Sequence, residues 1–165
     1  MPVPTKEQLQ EYEAACAQFT IAIADLNEEQ LHHKPNENEW SVHDIIIHMG
    51  DSEVGCFWRV RKTIAEENSL LPIYDEEAWQ KNLSYEKQDH TIALNLFMAL
   101  RTSTASLFRS LPEEAWEKTS THPERGKITL YDIFLIYVEH GQIHLDQINV
   151  LKQSLPTKNT QDATR

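Results

Sequence analysis

The stretch Thr129 to Gln153, "TLYDIFLIYVEHGQIHLDQINVLKQ", decides how the chain folds. Thr129 opens "TLYD", a helix-start signal, because a threonine hydroxyl can accept a backbone N–H that the first turn leaves unpaired. Beyond it Ile133, Tyr137, His140, His144, Gln147 and Leu151 recur at steps of three and four, the period of one helix face. The spacing predicts a long final helix with that stripe on the core. Two members of the stripe are histidines, four residues apart.

Three more helices follow working outward. Thr5 opens "TKEQ", and Leu9, Tyr12, Ala15/Cys16, Phe19 and Ile23 keep helical spacing to about Leu26. Ser41 opens "SVHD", from which Ile45, His48, Met49, Ser52 and Cys56 carry an apolar-to-small stripe toward Glu66. A third helix is expected from about Thr91 to Leu111, where Pro112 stops it. The connections hold short helix-like fragments, "NEEQL", "YDEEAW" and "PEEAW". The middle connection, about 22 residues, is long enough to cross a bundle, so helices two and three can run parallel. The predicted fold is all-α, a four-helix bundle with one long crossover, forming a single domain over residues 1–153. Residues 154–165 are polar and aperiodic and are expected to be disordered.

Bulk properties narrow the function. The formal net charge is −11, and the basic cluster "RVRK" at Arg59–Lys62 is short, so a nucleic-acid phosphate backbone would be repelled. The longest apolar run, Ile133 to Val138, is far below the ~20 residues that span a bilayer. The start "MPVPTKEQLQ" lacks the pattern of a secretory signal. Cys16 and Cys56 read as free cytosolic thiols, and the expectation is a cytoplasmic protein with no membrane and no nucleic-acid partner.

Histidines number 8, so one pair at a spacing of four is close to what chance supplies. Its place on the buried stripe is more informative. Two imidazoles buried together need partners for their nitrogens; a metal ion or ordinary hydrogen bonds could serve. His48 bears on the choice. It lies 7 residues past Ser41, and His144 lies 7 before Leu151. In antiparallel helices both then sit ~10 Å from the same bundle end, with His140 one turn deeper. Three neutral imidazoles suit zinc, nickel, copper or iron(II), and three protein ligands leave a position open for water or substrate.

Other candidates are weaker. His43 is about 140° around the helix from His48 and cannot share its site. His32 and His33 fall in a polar connection, and His90 at a helix start. His122, in "THPERG", could overhang the bundle end as a substrate contact or be an ordinary loop residue. Asp51 and Ser52, just beyond His48, could orient its ring or move a proton, or could be surface and packing residues. Cys56, ~12 Å along the axis, is no ligand. Gly141, Gln142 and Ile143 separate the paired histidines, so the glutamate base of an H-E-x-x-H peptidase is missing.

The order "EWSVHDIIIHMGDSE", "LPIYDEEAW", then "SLPEEAWEKTSTHPERGKITLYDIFLIYVEHGQIHLDQI" resembles the DinB/YfiT-like superfamily over about Glu39 to Leu151. That resemblance implies an up-down-down-up bundle with a divalent metal on His48, His140 and His144, zinc or nickel first and iron or manganese next. It implies a homodimer, and an S-transferase using a thiol such as bacillithiol or mycothiol against small electrophiles. A metal-dependent hydrolase of a small molecule is the alternative, and a non-enzymatic, metal-stabilised stress-response bundle a third reading. The "LPIYDEEAW" segment resembles the thiol-transferase branch, so Tyr74, Asp75 and Trp79 could border the pocket. The favoured reading is that Asp75 caps a short helix and Trp79 plugs the bundle.

Overall fold

The computed structural model describes residues 2–155; the tail expected to be disordered lies beyond them from residue 156 onward. Four long helices form, α1 (Lys6–Ile23), α3 (Val42–Ala65), α5 (His90–Ser110) and α6 (Leu130–Ser154), with α2 (Glu28–His32) and α4 (Glu76–Asn82) in the connections. The caps are those the sequence signals. Thr5 with Gln8, Ser41 with Asp44, and Thr129 with Asp132 each make reciprocal capping boxes. Helix α1 ends at Ile23 rather than near Leu26, since Asn27 pairs with Gln30 to start α2.

Contacts along the helices give their directions. Gln8 near the start of α1 reaches Tyr131 near the start of α6, and Lys152 near the end of α6 reaches the Ala22 carbonyl near the end of α1. These two are parallel. Gly50 sits against Ala93, and Arg61 against Ser103 and Thr104, so α3 and α5 also run parallel. Thr20 meets Met98 and Tyr12 meets Phe108, so α1 opposes α5, while Arg59 with Tyr137 and His48 with His144 make α3 oppose α6. The order is up-down-down-up, as expected. At Gly50 a Cβ would lie 3.0 Å from the Ala93 carbonyl oxygen, so the glycine permits the close approach of α3 to α5.

One element escapes helical periodicity. Strands β1 (Ser69–Leu70), β2 (Thr119–His122) and β3 (Gly126–Thr129) form a small sheet in which β1 pairs parallel with β2, and β2 antiparallel with β3. It ties the crossover to the last connection over the C-terminal end of α3. The buried hydroxyls of Thr63, Ser69 and Ser120 join beneath it. Two apolar clusters fill the bundle, one around Phe19, Ile45, Phe97 and Ile148, the other around Tyr12, Phe108, Trp116 and Phe134. Glu53, Arg101 and His140 fall between them along their helices. Among the described residues no helix is long and apolar enough to cross a membrane.

Candidate metal centre

His48 is fully buried at the N-terminal half of α3, where Ile45, Ile46 and Ile47 wedge the helix between its neighbours. His140 and His144 stand one turn apart on the facing side of α6. Their Nε2 atoms converge: His140 lies 3.0 Å from His48 and 3.1 Å from His144, and one ligand atom from each ring falls within 4.8 Å of the others. The bundle thus brings together the three histidines singled out by spacing.

The outer nitrogens are held apart from this point. His144 Nδ1 lies 2.9 Å from the Gln147 amide oxygen, an acceptor, so Nδ1 carries the proton and Nε2 a lone pair. His48 Nδ1 lies 3.2 Å from the Tyr74 hydroxyl, which can hold it in the same tautomer. Burial pushes His48 down to about 3, with the His144 charge adding to it. Burial, then His144, His48 and Arg101, push His140 down to about 2. All three rings are therefore neutral near pH 7, the form that binds metal.

Hydrogen bonds alone cannot satisfy this cluster. A single proton on His140 Nε2 can be given to His48 or to His144, not to both at full strength. A cation accepts all three lone pairs at once. Nitrogens ~2.0–2.1 Å from one ion lie roughly 3.0–3.4 Å apart, which the separations of His140 from His48 and from His144 match. The donor set fits a divalent first-row metal.

The surroundings exclude water on one side and admit it on another. Trp40 packs edge-on against His48 at 4.9 Å and parallel to His144 at 6.4 Å. An open groove of about 480 Å³ reaches His144 and is walled by Trp40, Glu76, Gln147 and Leu151. Glu76 places a carboxylate oxygen 3.9 Å from His48 Nε2. Burial, then Glu77 and Asp75, raise its pKa. Nothing in the spacing of Glu76 points to it; only the folding-back of the crossover puts it there. Gly141 follows His140 because a Cβ would meet an Arg101 guanidinium nitrogen at 3.1 Å.

The remaining sequence candidates divide. Tyr74 does border the site, through His48. Asp51 does not touch the histidine it was expected to orient; its carboxylate accepts from Tyr85 at 2.7 Å, because one turn along α3 turns it toward the crossover. Ser52 is buried without a bond to the site. Asp75 caps α4 by accepting the Ala78 N–H at 3.0 Å. Trp79 is 39 % exposed and packs on Tyr74 rather than plugging the bundle, since α4 lies on the outside of α3. His122 is buried in β2, on a separate cavity with Tyr74 and Tyr137. His43 bonds the Tyr85 carbonyl at 3.0 Å and stacks on the exposed His32, away from the triad. Cys16 and Cys56 are free thiols.

The profile of the DinB superfamily matches residues 11–148. A protein of Oceanobacillus iheyensis named "Putative metal-dependent hydrolase" is 36% identical over 129 residues, 78% of this chain and 74% of that one. A Bacillus licheniformis protein of the same description is 30% identical over 135 residues, 81% of this chain and 77% of its own. Among solved structures, YfiT from Bacillus subtilis, described as "a probable metal-dependent hydrolase with an unusual four-helix bundle topology", superposes with a TM-score of 0.84 at 25% identity. The match covers 93% of this chain and 90% of YfiT.

Proposed function

The chain belongs to the DinB superfamily, and we propose that it is a metalloenzyme acting on small molecules. His48, His140 and His144 are its protein ligands for one divalent cation, zinc or nickel first. The observation that carries this reading is the meeting of three neutral imidazole Nε2 atoms beside an open groove. When bound, the cation supplies Lewis acidity that brings the pKa of a thiol or a water toward neutrality. Tyr74 and Gln147 hold the rings of His48 and His144 in the ligating tautomer, and Trp40 packs against both rings.

The nucleophile in this reading is the sulfur of a low-molecular-weight thiol of the bacillithiol or mycothiol kind. The thiol gives up its proton to water in the open groove, its sulfur bonds to an electrophilic carbon, and the leaving group departs with the electron pair of the bond that breaks. A thiol near 8.5 needs a far smaller pKa shift than water near 15.7. That suits a site whose one carboxylate within 4.0 Å among the described residues, Glu76, is 56% exposed. Hydrolysis is the second reading, favoured by the relatives' names and by Glu76, which could take a proton from an attacking water at its Oε2.

Assay of the zinc- or nickel-loaded protein with a fluorogenic electrophile, with and without thiol, separates the two. Thiol transfer requires conjugation that needs both metal and thiol and survives Glu76→Gln. Ester hydrolysis without thiol, lost in Glu76→Gln, points to the second. Full conjugation by the metal-free protein would sink the first.

A further inference from the structure

We propose that the cavity between the C-terminal half of α3, the β2–β3 turn and the first turns of α6 binds the carboxylate of a small-molecule substrate, with Arg59, Arg125 and His122 as donors. The inference rests on the reading of the triad as a small-molecule site, and names a chemical feature of what enters it. The cavity is about 140 Å³, with Arg59, Tyr74, His122, Glu124, Arg125 and Tyr137 on its wall and aliphatic side chains between them. Two of these residues join it to the triad. Tyr74 touches His48, and the Tyr137 ring packs edge-on against His140 at 6.2 Å.

The polar groups of this wall are nearly all donors. Arg59 is fixed in plane by giving one N–H to the Tyr137 hydroxyl at 3.0 Å and another to the Pro72 carbonyl at 2.9 Å. Its Nε is buried and, among the described residues, has no partner. Tyr137, accepting from Arg59, keeps its own O–H to give. His122 Nδ1 accepts the Glu124 backbone N–H at 3.2 Å, so the neutral ring carries its proton on Nε2. Burial, then Arg59 and Arg125, disfavour a second proton on that ring despite the opposing Glu124. A buried donor without an acceptor, such as Arg59 Nε, costs free energy, which an oxygen-rich ligand recovers.

The charge count favours a carboxylate over a phosphate. Among the described residues neither Arg59 nor Arg125 is in an ion pair. Two guanidiniums against the Glu124 carboxylate leave one net positive charge. One carboxylate neutralises it, whereas a phosphate dianion would enter with a charge to spare. A chain of a few carbons attached to that carboxylate can lie along the aliphatic wall toward Tyr74 and the triad.

The test titrates the protein with butyrate, its neutral counterpart butyramide and inorganic phosphate, by calorimetry and melting temperature, alongside Arg125→Gln and Arg59→Lys. Arg125 is exposed, so its variant folds even where Arg59→Lys loosens the crossover. Butyrate should bind, butyramide should not, and phosphate should bind more weakly than butyrate. Arg125→Gln should weaken butyrate by about tenfold with metal content unchanged. Butyrate affinity within twofold of wild type in both variants, the result expected if the metal rather than the arginines held butyrate, would overturn the proposal. Phosphate binding more tightly than butyrate overturns it as well. Failure of the metal reading shows instead as absent metal, with the butyrate response intact.

Discussion

Two buried polar clusters lie side by side in the middle of this bundle and are built on opposite principles. In the first, Arg101 donates its Nε–H to Glu53 Oε2 at 3.1 Å, holds Nη2 3.0 Å from the same oxygen as an ion pair, and donates from Nη2 to the Tyr137 carbonyl at 3.1 Å. Its guanidinium lies over the rings of Tyr12 and Phe97, and the Tyr12 hydroxyl donates to Glu53 at 2.7 Å. Burial opposes the arginine charge, but Glu53 more than restores it. Opposite charges compensate each other within that cluster, although among the described residues Arg101 Nη1 has no hydrogen-bond partner. In the second, three rings of one kind turn the same nitrogen toward one point and nothing among the described residues completes them. Compensated charge marks the first as a structural pair, and three lone pairs turned on one point mark the second as a ligand site.

If that contrast is right, the two clusters respond differently to damage. Arg101→Met leaves Glu53 buried and unpaired and should cost about 3–5 kcal/mol in urea unfolding. Replacing both members with apolar residues should recover most of the loss, and metal per folded chain should stay at the wild-type level throughout. A double variant as unstable as the single would break the comparison. His144→Ala should do the reverse, leaving the metal-free fold nearly intact while weakening metal on the order of 10²-fold in a competitive chelator titration.

The pH response sharpens the contrast further. In metal-free protein His48 and His140 are held near 3 and 2, below the unfolded value of about 6.5. The unfolded chain then binds more protons in that interval. Stability is full above about pH 6.5 and falls as pH drops toward the folded values, by up to roughly 1.4 kcal/mol per pH unit for each ring. Urea midpoints between about pH 7 and pH 5 measure it, and His140→Leu should flatten the slope. The smallest expected effect is Tyr74→Phe, which frees the outer nitrogen of His48 and should weaken metal about tenfold without moving metal-free stability.

The bundle and the triad were legible because both follow from a period. Helix caps and stripes place His48, His140 and His144 at matching heights, and antiparallel pairing then brings them together. What could not be read lies where the chain is aperiodic. Strands β1 to β3 are two to four residues long, too short for alternation to register. Glu76 and Tyr74 reach the triad only through the path of the crossover, and Asp51 misses His48 because Tyr85 draws its carboxylate away. Arg59 reads in the sequence as part of a basic run; its place on the cavity wall emerges from tertiary packing alone.

The most direct test is the metal-to-chain ratio of protein expressed with zinc and nickel available, wild type beside His48→Ala. Convergence of the three rings on one cation predicts a ratio near one for the wild type and under about 0.1 for the variant. Retention of stoichiometric metal by His48→Ala, or a wild type that stays empty, would contradict it.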